Sequence, residues 1–218
     1  ATMTVSSRVR VVANVSLANI ELFGVLIAIF VGISLVHKEI DRRTIFTIIT
    51  RPLRRYEFIL GKYLGLLLTL LVQIGFMTLI FFAIEFLFDG VKFFPDFLKA
   101  IWLIFVQIAL ITAVATMFSS LSSPILSGMF TLAFYIICQI SSFLEMLMPE
   151  KANAFTVMLL AVMRYALPDF QFLNIKGLAV YGHDIPLSYI AGATVYGLFY
   201  IAVVLVIAML AFERRDMK

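Results

Sequence analysis

AIWLIFVQIALITAVATMFSSLSSPILSGMFTLAFYIICQISSFL, residues Ala100 to Leu144, contains no charged side chain. At about 1.5 Å per residue one helix of this length would reach far beyond a hydrocarbon layer of about 30 Å. The stretch is therefore two membrane crossings, and Ser119-Ser120-Leu121-Ser122-Ser123-Pro124 is the natural fold-back, because Ser and Pro favour a turn. The same reading extends outward. Pro186 to Phe212 is also free of charge, and apolar runs longer than about 18 residues read as spanning helices.

Composition agrees. Hydrophobic residues make up 63% of the chain and charged residues 14%, with a mean hydropathy of +1.07. That leaves too little charge to cover the surface of a soluble domain of 218 residues. A barrel would show alternating segments of about ten residues, and none runs for the needed length. The expected fold is an all-α polytopic membrane helix bundle in a single domain. Its spans are expected at about 17–36, 63–86, 97–118, 125–148 and 187–212. Residues 37–62 form a polar connection and residues 149–186 a long loop.

Lys and Arg placement sets the orientation. Lys38, Arg42, Arg43, Arg51, Arg54, Arg55, Lys62, Arg214, Arg215 and Lys218 fall on one side. Arg8, Arg10, Lys92, Lys99, Lys151, Arg164 and Lys176 are spread over much more chain on the other. The richer side is expected to be cytoplasmic, with the C-terminus inside and the N-terminus outside. An outside N-terminus with no signal peptide implies one more span upstream of Ala1, hence a six-span native protein. The basic residues lie at span ends, at headgroup level, so the net charge of +4 points to membrane lipid and not to nucleic acid.

The functional signal lies in Ile33 to Leu64, ISLVHKEIDRRTIFTIITRPLRRYEFILGKYL. Between two apolar spans stands a charged, amphipathic segment. As a helix, Glu39 to Arg51 would carry an apolar face of Ile45, Phe46, Ile48 and Ile49, with Glu39, Asp41, Arg42 and Arg43 in its first turn. Pro52 is expected to end it, Leu53 to Phe58 to form a turn, and Gly61 and Gly65 to open the next span with a close-packing pattern. On chemistry alone the segment reads equally as an interfacial helix holding anionic headgroups.

The order of residues resembles the cytoplasmic loop of the type-2 ABC transporter permeases, the membrane subunits of bacterial ABC exporters. That pattern is a span end, an acidic residue, a Gly-Thr pair, two aliphatics, Pro, Arg, and a Gly-Lys opening the next span. Here these are Glu39, Thr44, Ile48-Ile49, Pro52, Arg55 and Gly61-Lys62. Arg43 stands where the Gly of the Gly-Thr pair belongs. The span order, the long loop before the last span and the basic tail extend the likeness over the chain.

The resemblance implies an inner-membrane, multi-pass subunit that works as a dimer with a second copy or a related permease. A separate ATP-binding subunit, which carries the ATP and Mg, would dock on Glu39, Asp41, Arg42, Arg43, Thr44, Ile45, Ile48, Arg51, Pro52 and Arg55. Charges would give orientation and the aliphatic face adhesion. The resemblance also implies that part of the 149–186 loop dips back into the outer leaflet to gate the exit. Pro168, Asp169, Phe170 and Phe172 are the candidates there. An interfacial helix with no gating role is the other reading of that loop.

Polar groups inside spans are Gln73, Gln107 and Gln139, read as helix–helix hydrogen bonds. Glu21 and Glu85 are expected to reach the interface. Gly24, Ala28 and Gly32, and Ala193 and Gly197, form small-residue stripes that pack within the chain or across a dimer. No enzyme chemistry assembles, and no cofactor is expected on this chain. Gly61-Lys62 lacks the first glycine of a phosphate loop, whose place Tyr56 holds. His37 and His183 fall on opposite sides, and Cys138 is alone. A non-transporting scaffold, whose charged segment binds another cytoplasmic protein, is the alternative function.

Overall fold

The computed structural model describes residues 5–41, 55–88, 94–146, 167–181 and 184–213. The fold is all-α. The described residues form α1 (Val5–Asp41), α2 (Arg55–Phe88), α3 (Phe94–Leu121), α4 (Pro124–Met146), the short α5 (Lys176–Tyr181) and α6 (Leu187–Glu213). In hydrocarbon a backbone must satisfy its own hydrogen bonds, and a continuous helix does so within one segment. Among the described residues four helices are long and apolar enough to cross a membrane, over Arg10–Gly32, Tyr56–Phe86, Pro95–Leu121 and Leu187–Phe212. α4 is apolar over the shorter stretch Pro124–Ile140.

Contacts fix the directions of the helices. Tyr63 donates to the Ala109 carbonyl at 3.3 Å, and Phe81 meets Phe97 edge-on at 5.3 Å, so α2 runs antiparallel to α3. Glu21 meets Gln107 and Gly32 lies against Ala115, so α1 runs parallel to α3. Trp102 Nε1 donates to Thr194 at 3.0 Å, and a Cβ on Gly197 would strike Val106, so α6 also runs with α3. Phe118 packs on Phe130 and Phe58 on Phe212. One end of the bundle thus gathers the serine turn, the start of α2 and the end of α6. The other gathers Arg10, Phe81, Phe97, Lys99 and Tyr181.

The glycine stripe of α1 faces inward. A Cβ on Gly24 would enter the Ile108 side chain, one on Gly32 would lie 3.1 Å from Ala115, and Ala28 is buried. Ala193 and Gly197 do the same work between α6 and α3. Gly61 and Gly65 behave differently. Each opens onto empty space, so they make no close approach within this chain. What separates the two groups is position around the helix: 24, 28 and 32 point at α3, whereas 61 and 65 point away from it.

The serine turn is tighter than a loop. α3 continues to Leu121, and Ser122-Ser123 alone separate it from Pro124, the first residue of α4, where a missing N–H costs nothing. Ser122 and Ser127 hydroxyls donate to the Phe118 carbonyl at 3.1 and 3.0 Å. They thereby satisfy the end of α3 that its own backbone leaves open.

Three expectations are corrected. α1 does not stop at Val36; it stays helical to Asp41, so Glu39 and Asp41 belong to the same rod as Glu21. A 37-residue helix is about 55 Å long. α2 starts at Arg55, so the part of the expected turn from Arg55 to Phe58 is helix; Glu57 in its first turn favours that end of the dipole. Arg42, Arg43, Thr44, Ile45, Ile48, Arg51 and Pro52 lie outside the described residues, as do 147–166. Glu21, 4% exposed near the middle of Arg10–Gly32, does not reach an interface, whereas Glu85, also 4% exposed, is covered by protein at the end of Tyr56–Phe86.

Candidate functional site

The site is built around a segment that leaves and rejoins the bundle at one end. α4 runs antiparallel to α3 and reaches the Lys99 end; α6 starts there. Lys99 holds that junction, donating to Asp96 at 2.8 Å and to the Ile185 carbonyl at 3.0 Å. Between them, residues 167–181 descend to the level of the helix middles. Phe170 packs on Tyr135 of α4 at 6.0 Å, Leu173 lies near Gly197 of α6, and Lys176 pairs with Glu21 of α1. α5 then climbs until Tyr181 lies under the Arg10 guanidinium, 5.7 Å from the ring centre.

Local chemistry folds this segment. Asp169 Oδ1 accepts the Gln171 N–H at 2.9 Å. The Leu173 and Asn174 amides donate to Phe170 and Gln171 carbonyls, both at 3.1 Å, and Asn174 Oδ1 accepts the Lys176 amide at 3.4 Å. A backbone that is not yet helical is tolerated at this depth only where protein covers it. Its apolar side chains supply the cover, since Phe170, Leu173, Ile175 and Ala179 are all buried.

Of the expected gate residues, Pro168 and Phe170 are buried and face the bundle. Phe172 is 37% exposed and sits between Tyr189 and Tyr196, at 5.1 and 5.4 Å. Tyr189 donates to the Phe172 carbonyl at 2.9 Å, and the Asp169 amide donates to the Tyr196 hydroxyl at 2.8 Å. These bring Asp169 and Phe172 together with α6, while Phe170 packs on α4.

Sequence reasoning missed the polar centre. Glu21 stands near the middle of Arg10–Gly32 and Gln107 near the middle of Pro95–Leu121. Gln107 Nε2 donates to Glu21 Oε1 at 2.9 Å, which meets the expected helix–helix hydrogen bond. The other carboxylate oxygen accepts from Lys176 Nζ. The Tyr135 phenol also faces Glu21. Gly24 and Gly32 bring α1 close enough to α3 for two short side chains to meet directly. A usable signal was present: Glu21 is the sole acidic residue of Arg10–Gly32, and Lys176 is a lone cation in an apolar stretch. Opposite charges at such positions seek each other because either alone is costly in hydrocarbon. Gln73 is partly buried and Gln139 exposed, so Gln139 stays available on the outer face of α4.

Among the described residues no three His, Cys, Asp or Glu come together to hold a metal. A lateral apolar groove of about 550 Å³ runs between α1 and α4, walled by Leu26, Phe30, Ile125, Gly128, Met129 and Leu132.

The sequence pattern of one family, Protein of unknown function (DUF2705), matches residues 3–218. The chain belongs to this family. No curated protein and no solved structure is found to be similar. In this DUF2705 chain an inserted segment lies over a buried charge pair, and one long helix joins that pair to Asp41.

Proposed function

We propose that this chain is the membrane-spanning subunit of an ATP-driven ABC exporter. It works as a dimer with a second copy or a related permease, in the cell membrane with its C-terminus in the cytoplasm. A separate ATP-binding subunit docks on residues 39–51 and the following Pro52 and Arg55, and hydrolyses ATP there. This chain contributes conformational change and no bond chemistry.

The observation that carries the reading is the order Glu39, Thr44, Ile48-Ile49, Pro52, Arg55, Gly61-Lys62 between two long apolar helices. The continuity of α1 from Val5 to Asp41 supports it. A rod entering the docking segment transmits a push at one end to the middle of the bundle without a hinge. The inserted segment 167–181 supports it too, as a part that can obstruct a path from one side. The open α1–α4 face, with its apolar groove and exposed Gln139, suits a second subunit. A glutamine left bare in hydrocarbon is unfavourable, and a partner would satisfy it.

The test is co-purification. The chain is expressed beside a candidate ABC-type ATP-binding subunit, and wild type is compared with Glu39→Arg plus Thr44→Trp. The exporter reading requires that the ATPase be retained by wild type and lost by the double variant. Retention of a different cytoplasmic protein, with no ATPase, would favour a non-transporting scaffold.

A further inference from the structure

We propose that Glu21 and Lys176 form a latch that holds the inserted segment 167–181 against α1, and that α6 is the pivot on which this segment turns when the latch opens. The two sides of the segment are attached by different chemistry. Toward α6 the attachments are neutral: the Tyr189–Phe172 and Asp169–Tyr196 hydrogen bonds and the ring contacts of Phe172. Toward α1 they are charged: the Lys176–Glu21 ion pair and Arg10 over Tyr181.

The two kinds of attachment respond differently to displacement. Ring packing and neutral hydrogen bonds tolerate small rotations of the partners. A buried ion pair is strong only while both charges are in contact and water is excluded. Glu21 and Lys176 side chains are 5% and 14% exposed. Once they part, each charge stands alone where that is costly, so contact falls off steeply with displacement. Gln107, held on α3, keeps Glu21 oriented by its own hydrogen bond. The carboxylate is thus held in orientation, and the long lysine side chain reaches across to it.

α1 gives the latch a handle. Glu21 lies about 30 Å along one uninterrupted helix from Asp41. Tilting α1 at its charged end displaces Glu21 from Lys176, while α6 keeps its hold on Phe172. The identity of that drive rests on the exporter reading. The latch itself does not, and Glu21 and Lys176 are positioning residues for the segment.

The test uses the full chain alone in lipid nanodiscs. A reporter thiol is placed by Ala179→Cys in a Cys138→Ala background, because Ala179 is fully buried on α5. Labelling by a membrane-impermeant maleimide is followed in the parent, in Glu21→Gln, in Lys176→Met, and in the exchanged pair Glu21→Lys with Lys176→Glu. The latch requires labelling to accelerate on the order of tenfold in each single variant and to return toward the parental rate in the exchanged pair. Parental rates in both singles, or an exchanged pair as fast as the singles, overturn it. Should the singles lose monodispersity, recovery of it in the exchanged pair supports the latch and continued aggregation refutes it. Loss of ATPase capture in the docking experiment would leave this result untouched, so the two proposals fail separately.

Discussion

α2 and α3 are close to equal in hydropathy, 2.4 and 2.3 over their apolar windows, yet 17% of the α2 window is buried in the protein and 78% of the α3 window. Hydropathy therefore says that both are surrounded by apolar atoms and nothing about whose. In water the core helix would be the more apolar one. In a membrane the lipid is as apolar as leucine, and close protein contact is marked by small and polar residues. α3 carries Gln107, Ala109, Thr112, Ala113, Ala115, Thr116, Ser119 and Ser120, all buried. α2 presents Leu64, Leu68, Leu71, Val72, Phe76 and Leu79 outward.

The contrast is sharpest at glycines. Gly197→Leu forces a side chain into Val106 and Leu173 at the junction of α3, α6 and the inserted segment. It should cost about 3 kcal/mol, read by unfolding in mixed micelles. Gly24→Leu, driven against Ile108, should cost about 2 kcal/mol in the same assay. Gln107→Leu removes the hydrogen bond to Glu21 and should cost about 1 to 2 kcal/mol. Trp102→Phe gives up one hydrogen bond to Thr194, worth about 0.6 kcal/mol by the average for such pairs in membranes.

At the small end, Gly65→Leu on the open face of α2 should change the stability of the monomeric chain by less than about 0.5 kcal/mol. A cost there in the monomer equal to that of Gly24→Leu would break the comparison, because it would mean that this face of α2 is packed within the chain. A cost seen only in an oligomer, with the monomer unaffected, would sharpen it and locate the contact.

The serine turn was legible before any coordinates, because a charge-free stretch too long for one crossing must fold back where serines and proline fall. So were Gln107 as a cross-helix donor and the stripe at Gly24, Ala28 and Gly32 as a packing face. The continuity of α1 was not. Charged residues at Lys38 to Asp41 look like the end of a span, but charge ends only the apolar stretch; the helix itself runs on. The site was half visible. Pro168, Asp169, Phe170 and Phe172 drew notice as a break in an apolar segment, whereas Lys176 read as one more headgroup cation. Its partner is 155 residues away, and no local pattern encodes that separation.

What the chain's own letters determined is the all-α class and the apolar surroundings its helices suit, because those follow from the length and charge of each run. What the tertiary structure decided is which helix sits at the centre, which glycines are filled, and which two charges meet. Those depend on the rotation and register of one helix against another. When all the helices are apolar, such registers are set by small side chains and paired polar groups that become distinctive only when they touch.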